Sequence, residues 1–83
     1  MQTYLEKRQP AKNVARFYRM AVMPNLFGEW TLYREWGRIG QGGQVRMDWF
    51  ADEIHAVAAL NTLEAAKRKR GYWMEPQQLV MFG

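Results

Sequence analysis

A single change of hydrophobic period restricts what this chain can fold into more than any other feature. Up to Phe50, apolar and polar residues tend to alternate; from Glu53 to Arg70, apolar residues recur at the three- and four-residue intervals of a helix. Side chains alternate between the two faces of a strand, whereas helix residues three or four apart share a face. Each part of the chain therefore carries one apolar side that it cannot bury alone. Strands followed by one helix solve this by laying the helix on one face of an antiparallel sheet. The expected fold class is α+β: a small antiparallel β-sheet of about four strands packed with one C-terminal amphipathic α-helix.

Turn residues divide the alternating part. Arg16-Phe17-Tyr18-Arg19-Met20-Ala21-Val22-Met23 is rich in aromatic and strand-favouring types and predicts a strand over about 14–23. Pro24-Asn25-Leu26-Phe27-Gly28 should reverse the chain, making Glu29 through Arg38 the second arm of a hairpin. Gly40-Gln41-Gly42-Gly43 is a second turn, and Gln44 to Phe50 a third strand. Tyr4 to Arg8 adds a fourth, with Gln9 to Asn13 as a loop. Asp52 is placed to cap the helix, on which Ala56, Ala59, Leu60, Leu63 and Ala66 share a face. Gly71 sits where a helix-terminating glycine belongs, and Tyr72-Trp73 return toward a sheet edge. The domain is drawn at 4–73 and a C-terminal tail at 74–83. The tail ends in Leu79-Val80-Met81-Phe82 and suits either covering a sheet edge or docking.

Several chemistries are disfavoured. With 83 residues the chain is one domain's worth, and 48% hydrophobic content is enough for a compact core. There is no cysteine, so disulfides, thiolate zinc sites and thiol catalysis are excluded. His55 is the one histidine and stands in the first helical turn, where it makes a transition-metal site improbable. Asp52 and Glu53 suit the helix N-terminus, and Asp48, on a strand among basic residues, suits an ion pair. No Ser-His-Asp set can be assembled, and Gly40 to Gly43 lack the Gly-Lys-Ser/Thr ending of a nucleotide-binding loop. The expectation is a protein that is not an enzyme and has no metal or cofactor. The N-terminus has no apolar signal region, and no apolar run approaches the ~20 residues of a membrane span. A soluble, cytoplasmic protein with no membrane partner is expected.

Twelve Lys and Arg against eight Asp and Glu give a net charge of +4, a balance frequent among polyanion binders. Strand parity makes Trp36 and Arg38 co-facial, with Arg34, Leu32 and Trp30 behind them. Gly37, between them, permits a bend or the close approach of another backbone. An indole beside a guanidinium suits stacking on a base while the cation meets phosphate. The same spacing fits a core Trp36 with Arg38 snorkelling past it, and spacing alone favours that reading. The run Lys67, Arg68, Lys69 and Arg70 complements the helix dipole or forms a phosphate-facing cluster, and both readings stay open.

The ordered context adds what the triplet lacks. Arg16-Phe17-Tyr18, Phe27-Gly28-Glu29-Trp30, Arg34-Glu35-Trp36-Gly37-Arg38-Ile39-Gly40, Gly43-Gln44-Val45, and an alanine-rich helix ending Gly71-Tyr72 follow one another. Over about residues 4–73 the chain resembles the WGR domain family, found in DNA-dependent poly(ADP-ribose) polymerases and in short bacterial proteins. The resemblance implies a sheet packed with one helix, a Trp that packs against a terminal nucleotide, and an Arg that joins contacts between domains. Those roles fall on Trp36 and Arg38. The polymerase members commonly follow the helix with Lys-Thr-Gly-Asn, whereas this chain has Lys69-Arg70-Gly71-Tyr72. DNA-break sensing is therefore not carried over. The expected function is non-catalytic nucleic-acid binding, DNA favoured, through Trp36, Gly37, Arg38, Arg34, Lys67, Arg68, Lys69 and Arg70. A protein-interaction adaptor, docking a protein partner through the same patch or the tail, is the alternative. The sequence leaves the oligomeric state open.

Overall fold

A computed structural model of the chain describes residues 1–73. Four strands, β1 (Gln2–Gln9), β2 (Val14–Pro24), β3 (Trp30–Arg38) and β4 (Gln44–Phe50), form an antiparallel meander in the order β1-β2-β3-β4. One helix, α1 (Glu53–Lys69), follows. The expected α+β class, strand succession and helix are all present. The expected tail, 74–83, lies outside the described residues.

Local chemistry accounts for the boundaries. The β2–β3 reversal is closed by Asn25, whose Oδ1 accepts from the backbone N–H groups of Phe27 and Glu29 at 2.9 and 3.0 Å. The segment expected as a loop before β2 contains a short 3₁₀ turn, Pro10–Lys12, closed by the N–H of Asn13 donating to the Pro10 carbonyl at 3.0 Å. β1 begins earlier than expected, because β2 is long enough to pair Ala21 with Gln2. Asp52 caps α1 by accepting from the His55 N–H at 3.0 Å.

The helix ends in a Schellman motif. Tyr72 N–H donates to the Lys67 carbonyl and Gly71 N–H to the Arg68 carbonyl, both at 3.1 Å. Gly71 adopts φ +94°, a conformation that side chains rarely take. Trp73 then pairs with Glu6 of β1 through two backbone bonds of 2.8 and 2.9 Å, the expected return to the sheet edge.

Helix α1 covers one face of the sheet. Leu5, Met20, Leu32 and Leu60 are fully buried there, with Tyr18, Val22, Ala56 and Tyr72 around them. The helix is rotated from the expected stripe: Ala66 is exposed, while Val57 packs against the core and Lys67 is half-buried. A lysine can take that place because its methylene stem packs while its ammonium reaches out. The other face has no helix. Near β1 and β2 it carries Tyr4 stacked on Phe17 and Arg19 over both rings, and near β4 it exposes Val45, Met47 and Trp49.

Candidate functional site

Strand register places three cations side by side. Lys7 of β1 lies opposite Arg16 of β2, and Arg16 lies opposite Arg38 of β3. By parity with Leu5, Tyr18 and Trp36, all three belong to the helix-bearing face. Like charges directly opposite one another destabilise a sheet unless something neutralises them. Among the described residues, no carboxylate forms an ion pair with Lys7, Arg16 or Arg38. Arg38 donates to the carbonyl oxygen of Asn13 at 3.2 Å and to its Oδ1 at 3.1 Å, both neutral partners that orient the guanidinium.

Aromatic rings form the floor beside this row. Arg16, Trp36, Gly37, Arg38 and Tyr72 line a concavity of about 330 Å³. Trp36 stacks on Tyr18, ring centroids 5.6 Å apart and planes 13° from parallel. Tyr72, delivered by the Schellman motif, meets Tyr18 edge-on at 6.3 Å. Trp36 is thus both a core neighbour and a wall of the concavity, so its packing against the core does not withdraw it from the surface. Lys67 Nζ lies 4.5 Å from the Tyr18 ring centroid and 5.7 Å from that of Tyr72. Burial, then the charges of Arg70 and Arg34, lower the Lys67 ammonium from its ordinary value. An anion arriving beside it would relieve that cost.

Gly37 has a packing reason. A Cβ built on it would stand 2.9 Å from the Gly43 Cα and 3.5 Å from the Phe17 ring, and one on Gly43 would overlap the Trp36 carbonyl. The glycine turn thus folds against the end of β3, the close backbone approach expected of Gly37.

The remaining expected residues separate. Arg34 donates to Asp48 at 2.8 Å, and Asp48 also receives Arg46 at 3.4 Å, the ion pair expected of this carboxylate. Burial works against the Arg34 charge, but hydrogen bonds with Tyr18 and Asp48 outweigh it and raise the guanidinium further. Arg34 is therefore engaged inside the fold. Arg68 pairs with Glu64 one helical turn away at 3.2 Å. Lys69 and Arg70 are exposed at the helix end, with no ion pair among the described residues. The structure gathers Trp36, Gly37, Arg38 and Lys67 and adds Lys7, Arg16 and Tyr72, which sequence reasoning did not assign to the site. Their signal lies in cross-strand register and in the turn after the helix, not in any contiguous motif.

The model of the WGR domain family matches residues 1–78 of the chain. The uncharacterized protein y4dW of Sinorhizobium fredii is 47% identical over 73 residues, covering 88% of this chain. The chain spans 36% of that relative's length. No solved structure matches.

Proposed function

The chain belongs to the WGR domain family, and from that premise we propose that it is a non-catalytic module that binds nucleic acid, DNA foremost, through the basic row and aromatic concavity of its helix-bearing face. The carrying observation is the row Lys7–Arg16–Arg38, cations held opposite one another with no carboxylate among the described residues to neutralise them. A phosphate backbone supplies the missing charge at that spacing, and the Trp36 and Tyr72 rings suit a base or sugar alongside. Contacts of this kind position a strand without reading its sequence. Arg34 is held within the fold by Asp48, whereas Lys67 and Arg70 extend the positive field at the helix end.

Fluorescence anisotropy with single-stranded, blunt-ended and nicked DNA over a salt series tests this reading. Binding that weakens by about 0.9 in log K per neutralised phosphate, and so by about 2.7 per tenfold salt for the row, is the expected result on duplex DNA. Millimolar or salt-insensitive binding to all three ligands overturns it.

A further inference from the structure

We propose that β4 is a self-association edge, through which two copies of this chain pair antiparallel about a two-fold axis at Met47. Among the described residues, the outer edge of β1 is partly met by Trp73, whereas the outer edge of β4 meets no strand. Such an edge offers a row of unpaired N–H and C=O groups, usually guarded by proline, a bulge or repelling charge. The strand Gln44-Val45-Arg46-Met47-Asp48-Trp49-Phe50 contains no proline or glycine and pairs with β3 without a bulge. Val45, Met47 and Trp49, on the face that lacks the helix, are 48%, 49% and 62% exposed.

Charge order identifies a second copy as the occupant. Two copies paired over the whole strand bring Met47 opposite Met47, Arg46 opposite Asp48, Val45 opposite Trp49, and Gln44 opposite Phe50. A two-fold axis between antiparallel edges stands perpendicular to the sheet, so residues of like parity meet. Shifting the axis by one residue places Arg46 against Arg46 or Asp48 against Asp48, which repel. The register with the greatest overlap is thus the one that pairs opposite charges and joins the apolar triplets. Charges acting as a guard would have one sign. Arg46 and Asp48 already touch within one chain at 3.4 Å, and the dimer completes them into an alternating ring of four. The result is an eight-stranded sheet with both helices on one face. It does not depend on nucleic-acid binding.

Sedimentation equilibrium of the full chain from micromolar to millimolar concentration should show a transition from 9.8 kDa to twice that mass. Paired residues on antiparallel strands have Cα atoms about 4.5–5.5 Å apart, inside the disulfide range. The chain has no cysteine of its own, so Met47→Cys under oxidation should give a covalent dimer. Leu26→Cys, at a 98% exposed position in the β2–β3 turn and outside the paired strand, should remain largely monomeric. Val45→Cys and Trp49→Cys should each fail to link with themselves but link when mixed. Met47→Lys sets two ammonium groups on the axis and should weaken association more than tenfold, with an unchanged circular dichroism spectrum. A chain that stays at 9.8 kDa to millimolar concentration overturns the proposal. So does a dimer that Met47→Lys leaves intact, or in which Met47→Cys links no faster than Leu26→Cys.

Discussion

Arg34 and Arg38 stand four residues apart on β3 and belong to the same face, yet their surroundings are opposite. Arg34 lies across from Arg46 of β4, and Asp48 binds both guanidinium groups at 2.8 and 3.4 Å. Arg38 lies across from Arg16, which lies across from Lys7, and no carboxylate among the described residues joins them. One carboxylate therefore separates two uses of an arginine pair. With it, the pair becomes a half-buried strut beside Tyr18; without it, the pair stays an uncompensated surface, the feature on which the proposed phosphate contact rests.

Removing that carboxylate should have the largest effect on stability. Asp48→Ala leaves Arg34, whose side chain is only 14% exposed and whose Nε already lacks a partner, as a desolvated charge beside Arg46. Breaking a fully buried pair costs about 3–5 kcal/mol; with Asp48 itself 31% exposed, about 2 kcal/mol is expected. Thermal denaturation should show a fall in Tm on the order of 10 °C for a domain of this size. A shift below 2 °C, by the same scaling, would dissolve the distinction between the two pairs.

The uncompensated pair should respond the other way. Arg16→Ala with Arg38→Ala should weaken DNA binding about tenfold or more and flatten the salt slope by about 1.8, two phosphates' worth. Its stability should stay within about 0.5 kcal/mol of the parent, since both side chains are exposed. Arg34→Ala should do the reverse, lowering Tm while leaving the salt slope alone. Equal slopes for the two variants would show that the row is not the contact surface.

Much of this architecture was legible in the residues. The change of period near Asp52, the turn residues at Pro24–Gly28 and Gly40–Gly43, and the cap at Asp52 locate the strands and the helix, because all of these act locally. Trp36 and Arg38 were legible as co-facial because strand parity is also local. The basic row was not, since parity says which face Lys7, Arg16 and Arg38 occupy but not that they are neighbours. Neighbourhood depends on the register of three strands, which the turns and the shared core set together. Nor was the helix rotation legible. Ala66 sits at the edge of the helix's apolar stripe, whereas Lys67, four residues past Leu63 and seven past Leu60, lies on it, and the Tyr18 and Tyr72 rings that receive the ammonium let a lysine hold that place. Gly71 announced the turn that returns Tyr72 and Trp73 to the sheet, but no side-chain pattern announced that Tyr72 lines the concavity.

Acid should sharpen the contrast from the structural side. Burial alone would raise the Asp48 carboxyl, but the hydrogen bond from Arg34 and the Arg46 charge outweigh it and hold it below the ordinary range. A depressed carboxyl contributes stability that is present above its unfolded value, about 3.9, and is lost as pH falls through the folded value. Asp52, lowered chiefly by the His55 backbone N–H, has the same sign. Denaturant titrations should therefore show stability falling below about pH 4, with a shallower fall in Asp48→Ala. An identical acid limb in that variant would remove Asp48 as its source.

An equally small change in stability belongs to the variant that turns one region into the other. Arg16→Glu sets a carboxylate between Lys7 and Arg38, as Asp48 sits between Arg34 and Arg46. Because the site is exposed, the new pairs should add no more than about 0.5 kcal/mol, little enough that Tm shifts by only a few degrees. Binding should be lost all the same, since the row would then be neutralised internally and a phosphate would meet a carboxylate at its centre. A fold kept or slightly strengthened while its ligand is lost is what separates a row held open for an external anion from one that merely tolerates its own repulsion. If Arg16→Glu binds DNA as the parent does, the three cations are a solvated face and the contact surface lies elsewhere.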